Sequence, residues 1–260
     1  MPDPGLVAAR VVTADGARDD AVAVEAPLEL RAAGKPLTVL MRTPGHDEEL
    51  VTGFLFNEGI IADADALLAF ESTENERGTV VDVRLAPAAR APGDRLFLSN
   101  SSCGVCGKQS LESVEVCGDV VRSALTVPRG VLTALPARLK EAQPLFARTG
   151  GVHASGLFTA AGELVAVRED VGRHNALDKL IGWALIEGRV PLSEHVLLVS
   201  GRVSYELVQK AVAAGLPVLA AVGAPSSLAV EIAERFGITL VGFVRDTGLN
   251  VYTHPARVAT

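Results

Sequence analysis

The sequence predicts an α/β protein, a largely parallel sheet flanked by helices, preceded by a smaller N-terminal α+β region. Two observations carry this. From about residue 195 onward, short apolar runs alternate with segments of helical spacing, joined by short connections. Before about residue 90, apolar residues instead alternate with polar ones around turns, the mark of antiparallel hairpins.

Residues 1–20 predict a loose or weakly paired start. Val22 to Leu30 alternates, Ala33-Gly34-Lys35-Pro36 turns, and Leu37 to Met41 alternates back. Thr43-Pro44-Gly45 breaks the strand. A helix then spans His46 to Glu58, with Asp47, Glu48 and Glu49 complementing the dipole of its first turn. Leu67–Glu71 and Thr79–Leu85 predict a second strand pair. Ala86 to Asp94, rich in alanine, proline and glycine, predicts a loop leading towards the segment 99–108. Val116 to Leu125 reads as a strand or connector, and Pro128 to Gln143 as a helix with proline near its start.

Strands 154–159 and 164–168 flank the turn Ala160-Ala-Gly-Glu163, and a helix follows from Gly172 to Glu187. Strand 195–200, helix 203–214, strand 216–222, helix 225–236 and strand 238–244 complete the alternation, with an edge strand at 249–252. A boundary near residue 125 separates an N-terminal region (1–125) from an α/β domain (126–260).

Composition narrows the function classes. Hydrophobic residues make up 48 % of the 260, enough for sizeable cores. A net charge of −7 carries no global basic field for nucleic acid. The longest apolar runs are too short to span a bilayer, and the start has neither a basic stretch nor an apolar leader. Three cysteines in such a chain predict a reducing cytoplasm with thiols used for chemistry or metal, not a disulfide framework.

The sharpest chemical feature is Cys103-Gly-Val-Cys106, with Lys108 close behind. A thiolate is the sulfur nucleophile, and a nearby cation favours it. Flanking glycines and serines predict an exposed, mobile loop. Such a loop could attack a donor persulfide, hold the outer sulfur and pass it on, with the second thiol assisting exchange. A structural zinc half-site competes, but it needs two further ligands, Cys117 or a distant histidine among them. A zinc-deaminase reading has His46-Asp-Glu48 ahead of the cysteines, yet no proline precedes Cys103.

A second constellation is Arg168-Glu-Asp-Val-Gly-Arg-His-Asn-Ala-Leu-Asp-Lys179, between a strand and a helix. Open α/β sheets bind ligands at the carboxyl ends of strands, and helix N-termini favour anions. Arg168 and Arg173 could grip phosphates bidentately. Glu169 and Asp170 could orient them or meet ribose and guanine edges, and His174 could donate. A helix-capping salt-bridge network is the alternative. Ser200-Gly201-Arg202-Val-Ser204 repeats the strand–glycine–arginine–helix pattern, Ala224-Pro-Ser-Ser227 again precedes a helix, and Thr149-Gly-Gly-Val-His153 offers backbone donors. Together they predict a crevice for a ligand with several phosphates.

These residues resemble the formate dehydrogenase accessory sulfurtransferases, the FdhD family, from about Glu25 to Pro255. The likeness is carried by Thr43-Pro-Gly-His-Asp-Glu-Glu-Leu50, Gly53-Phe-Leu-Phe-Asn-Glu-Gly-Ile60, Ser101-Ser-Cys-Gly-Val-Cys-Gly-Lys108 and Thr149-Gly-Gly-Val-His-Ala154. It continues in Arg168–Asn175, Ser200–Glu206, Gly242-Phe-Val-Arg245 and Asn250-Val-Tyr-Thr-His254. The resemblance implies a cytidine-deaminase-like fold without the deaminase zinc, a homodimer, and cofactor on the face opposite the reactive loops. It further implies sulfur transfer from a cysteine desulfurase to the molybdenum bis(guanine dinucleotide) cofactor for formate dehydrogenase. GDP would mimic that cofactor. Cys103 would carry the persulfide, with Cys106 as partner thiol. Cofactor contacts would fall on Phe243, Val244, Arg245, Asp246, Thr247 and Gly248, beside Arg168, Arg173, His174, Gly201 and Arg202. Asp246-Thr-Gly248 departs from the basic or glycine-rich run expected there. A cofactor-binding chaperone without sulfur chemistry, or a zinc hydrolase, is the competing function.

Overall fold

The computed structural model describes residues 4–87, 89 and 119–260. Cys103, Cys106, Lys108 and Cys117 lie outside the described residues.

The chain opens with two strands, β1 (Leu6–Thr13) and β2 (Gly16–Ala23), paired antiparallel in full register from Leu6↔Ala23 to Thr13↔Gly16. The start expected from 1–20 to be loose or weakly paired is a regular hairpin. Its small side chains and exposed Val7, Val12 and Val22 hide the alternation that normally marks a strand. The expected strand from Val22 to Leu30 is correspondingly split. β2 ends at Ala23 and β3 (Ala26–Ala32) begins a separate sheet with β4 (Lys35–Arg42), β5 (Leu67–Asn75) and β6 (Gly78–Leu85), in the order β4-β3-β6-β5. Helix α1 (Asp47–Asn57) covers its inner face, where Leu28, Leu30, Leu40, Val81 and Val83 meet Leu50, Val51, Phe54 and Leu55. Alternation along the strands puts these residues on one face.

After residue 126 come β7 (Val127–Pro128), α2 (Arg129–Glu141) and α3 (Pro144–Thr149). The main sheet is built from β8 (His153–Thr159), β9 (Leu164–Asp170), β10 (His195–Val199), β11 (Val218–Ala221), β12 (Thr239–Arg245) and β13 (Gly248–Val251). Helices α4 (Arg173–Ile186), α5 (Tyr205–Ala213) and α6 (Ser227–Phe236) connect them, and β14 (Val258–Ala259) pairs with β7.

The strand order is β13-β12-β11-β10-β8-β9. Only β10–β11 and β11–β12 pair in parallel, and the rest of the sheet is antiparallel. The α/β class holds, but the sheet is mixed and not largely parallel. The tight connections 160–163 and 246–247 are too short for a crossover, so the strands they join must return antiparallel.

Both faces of this sheet are buried. Leu197, Val199, Leu219, Ala221 and Leu240 pack under α4, α5 and α6, while Val196, Leu198, Val218, Ala220 and Val241 meet Leu132, Leu135 and Leu139 of α2. That explains why these strands read as unbroken apolar runs. Val121 and Leu125 insert into these two cores, so the stretch before residue 126 packs with the later half of the chain.

The N-terminal sheet is held to the main sheet by α1 against α4. A Cβ on Gly53 would overlap the Asp178 carbonyl, and one on Gly182 would overlap that of Glu49, so the helices touch backbone to backbone. Around this seam the polar groups are satisfied internally. Asp170, fully buried, meets the Lys179 ammonium at 2.7 Å and accepts from the Thr43 amide at 3.0 Å. Asp178 accepts from Lys210 and from the Asn57 side chain, each at 2.6 Å. Arg42, 2 % exposed, donates twice to Asp47.

Candidate functional site

The carboxyl ends of β9, β10, β11 and β12 lie at one end of the sheet, together with the start of β8. Strand direction alone brings Arg173, His174, Gly201, Arg202 and the segment 243–248 to that end. His153 sits among them, its Nδ1 3.3 Å from the Ser200 hydroxyl, which also accepts from the Ala154 amide at 2.9 Å.

Glycines keep the backbone low here. A Cβ on Gly201 would stand 3.3 Å from the His153 ring and 3.8 Å from Cδ of Arg173. A Cβ on Gly223 would stand 2.8 Å from the Gly201 carbonyl oxygen, too close to be accommodated. The loops after β10 and β11 are laced together by Val203 N–H to Ala224 O at 3.1 Å and Ser226 N–H to Val203 O at 2.9 Å. At α4, Gly172 N–H donates to Asp170, and at α6 the Ser226 hydroxyl accepts from the Ala229 amide.

Phe243 has φ 52° within β12, a left-handed conformation unusual for a bulky residue, at a bulge between Gly242 and Arg245. Its amide donates to the Gly223 carbonyl at 3.1 Å, and the residue is 39 % exposed. Such strain, of order 1–3 kcal/mol, concentrates at functional sites. Arg202, Arg245, Asp246 and Thr247 are exposed and Gly248 half-buried. Val244 is buried in the core on the α2 side, so only its backbone can face a ligand.

The motif 168–179 divides between two tasks. Arg168 turns away from the crevice and binds Glu49 through two nitrogens, Nη2 to Oε1 at 2.7 Å, under the Trp183 ring. Burial pushes the Glu49 carboxyl up, but Arg168 and His46 outweigh it and hold its pKa at about 2. Glu169 accepts from the Leu145 and Phe146 amides at the start of α3, and Asp170 belongs to the buried pair with Lys179. The expectation that Glu169 and Asp170 meet ribose and base edges is thereby corrected: both carboxylates are occupied by the protein. Arg173 and His174 remain at the crevice. The acids Asp47 and Glu49 of the α1 start pair with arginines, the role a helix start gives them. Among the described residues no cluster of three or more metal-binding side chains occurs.

Sequence reading missed Glu206. It is 7 % exposed and stands 3.6 Å from His174 Nε2, which also approaches the Ser204 hydroxyl at 3.2 Å. Burial pushes the Glu206 carboxyl up, but His174 and Ser204 bring it below the usual carboxylate range. His153 is pushed down by burial and by the charges of Arg173 and His174. An acid early in an apolar helix facing the preceding strand end was the only signal available.

Residues 23–259 match the model of the FdhD/NarQ family. The chain belongs to that family. Proteins named sulfur carrier protein FdhD from Mycobacterium tuberculosis and Streptomyces avermitilis are 49 % and 51 % identical to it. The alignments cover 97 % of this chain and 95 % of the former, and 94 % of this chain and 92 % of the latter. A sulfur carrier protein FdhD from the archaeon Sulfurisphaera tokodaii is 45 % identical, with 94 % of each chain covered. The crystal structure of a formate dehydrogenase accessory protein from Desulfotalea psychrophila superposes with a TM-score of 0.74 at 27 % identity, covering 98 % of both chains. Family membership thus agrees with the resemblance carried by the motifs. Among the described residues no helix is long and apolar enough to cross a membrane.

Proposed function

We propose that this protein is a sulfur carrier for formate dehydrogenase maturation. Cys103 accepts sulfur from a cysteine desulfurase and delivers it to the molybdenum bis(guanine dinucleotide) cofactor, which is substrate here and not a resident group. The Cys103 thiolate attacks the terminal sulfur of the donor persulfide, and the donor cysteine leaves as thiolate. One S–S bond forms as another breaks, with no net oxidation. Cys106 is the partner thiol of Cys103.

The observation that carries this reading is the crevice. Arg173, His174, Arg202 and Arg245 stand at the carboxyl ends of β9, β10 and β12, at one end of the same sheet, in a protein of net charge −7. The close-packed Gly201 and Gly223 and an exposed, strained Phe243 complete a surface suited to phosphates and a base. A second copy of the chain, as a homodimer in the cytoplasm, completes the proposal.

Cys103→Ala is expected to abolish activation of formate dehydrogenase while GDP binding by calorimetry stays intact. Activation by the alanine variant overturns the carrier role and leaves a cofactor-binding chaperone. One equivalent of tightly held zinc with nucleoside turnover would favour the hydrolase instead.

A further inference from the structure

We propose that His153 binds a nucleotide phosphate by donating from Nε2, in the ring tautomer that Ser200 selects. This rests on the reading of the crevice as a phosphate site.

The position of the ring follows from the strand. Ala154 joins the core on the α2 side, and Leu157 the core under α4, α5 and α6. Alternation along β8 therefore turns His153 to the same face as Leu157. There it opens the strand between Asp170 of β9 and Ser200 beyond the end of β10, where α4 starts with Arg173. Gly201 does not adopt a left-handed backbone angle, so glycine serves there for space. A Cβ at 201 would stand 3.3 Å from His153 Cε1, 3.4 Å from Nδ1 and 3.8 Å from Arg173 Cδ. The missing side chain leaves that room to the imidazole and the guanidinium stem together.

The tautomer follows from one hydroxyl. Ser200 is tied to Ala154 twice: its amide donates to Ala154 O at 3.0 Å, and its Oγ accepts from the Ala154 amide at 2.9 Å. The hydroxyl hydrogen then has one acceptor among the described residues, His153 Nδ1 at 3.3 Å. A neutral imidazole that accepts at Nδ1 carries its hydrogen on Nε2. That Nε2 makes no hydrogen bond among the described residues and is not sealed from solvent. Burial first, then the Arg173 and His174 charges, push the imidazole below its ordinary value, against the pull of Asp170, which Lys179 engages. The ring is thus a neutral donor near Arg173, and a phosphate oxygen accepts from both.

The test uses two amides that divide the imidazole between them. Glutamine reaches the position of Nε2 with an N–H, and asparagine reaches only that of Nδ1. GDP affinity by calorimetry is expected to stay within about twofold of wild type in His153→Gln and to weaken about tenfold in His153→Asn. A residue that only supported Ser200 would show the reverse order, because asparagine keeps that contact. The reverse order, equal losses, or no loss in His153→Asn overturns the inference. Guanosine, lacking phosphate, should bind all three proteins alike, and a matching loss of guanosine affinity would overturn the assignment to phosphate. If the variants do not fold, nitrogen NMR of wild-type protein with labelled histidine decides. Nδ1 of His153 should show the shift of an unprotonated ring nitrogen, Nε2 that of a protonated one, and GDP should move Nε2 more than Nδ1. The opposite tautomer, or an Nε2 that GDP leaves unmoved, rejects the role. Unchanged GDP affinity in Arg173→Ala would instead reject the crevice itself, which separates the two failures.

Discussion

Arg168 and Arg173 share one short motif, yet the first faces the α1 seam and the second the crevice at the strand ends. At the seam, Arg168 meets Glu49, Lys179 meets Asp170, Lys210 meets Asp178 and Arg42 meets Asp47. In the crevice, Arg202 and Arg245 project into solvent, Phe243 holds a strained backbone, and buried Glu206 stands 3.6 Å from the His174 imidazole. The difference is one of direction. Alternate residues of a strand point to opposite faces, and residues past its end point to neither. Charged groups below the strand end fix the two sheets together, while Arg202 and Arg245 beyond it face solvent.

Several substitutions would break or sharpen that contrast, beginning at the seam. Lys179→Met leaves Asp170 buried without its cation and should cost about 3–5 kcal/mol in urea unfolding. A loss below about 1 kcal/mol would mean that the pair is dispensable and the seam is held by packing alone. Gly182→Ala forces α1 and α4 apart and should cost about 1–3 kcal/mol or more, read as a lowered Tm. An unchanged Tm would show that the helices can slide without penalty.

Glu49→Gln should destabilise by roughly 2 kcal/mol without altering GDP affinity. The pH dependence follows from the sign of the shift. The carboxyl of Glu49 ionises more readily in the fold, at about 2, than at its ordinary 4.5. Its contribution is therefore complete above pH 4.5 and disappears as pH falls through about 2. Wild-type protein should lose this increment over that window and the Gln variant should not. Arg173→Ala should do the reverse, weakening GDP about tenfold while changing stability by less than about 1 kcal/mol. Equal effects of Glu49→Gln and Arg173→Ala on GDP affinity would erase the distinction between the two regions.

Much of the fold was legible in the sequence, because the signals were local. Helix α1 announced itself through Asp47, Glu48 and Glu49 and its apolar spacing. The strands β10 to β12 stood out as apolar runs because both faces are buried. The β1–β2 hairpin was not legible, since alanines and charged residues on two exposed faces give no alternation. Short α3 was hidden too: its start is capped by Glu169, distant in sequence. Antiparallel flanks of the main sheet could have been read from the short turns at 160–163 and 246–247. At the site, glycine and arginine at strand ends placed Arg173, Gly201 and Arg202 correctly in space. The fate of Arg168, Glu169 and Asp170 depended on partners across the fold, which no local pattern reveals. Val244 was a similar case, a motif residue whose side chain belongs to the core.

The central claim is that Cys103 carries a second sulfur atom. Incubating the protein with a cysteine desulfurase and cysteine, then measuring its peptides by mass spectrometry, tests this directly. The peptide containing Cys103 should gain the mass of one sulfur atom, and reductant should remove it. A Cys103 that stays unmodified while the desulfurase turns over, or sulfur found on Cys117 alone, would contradict it.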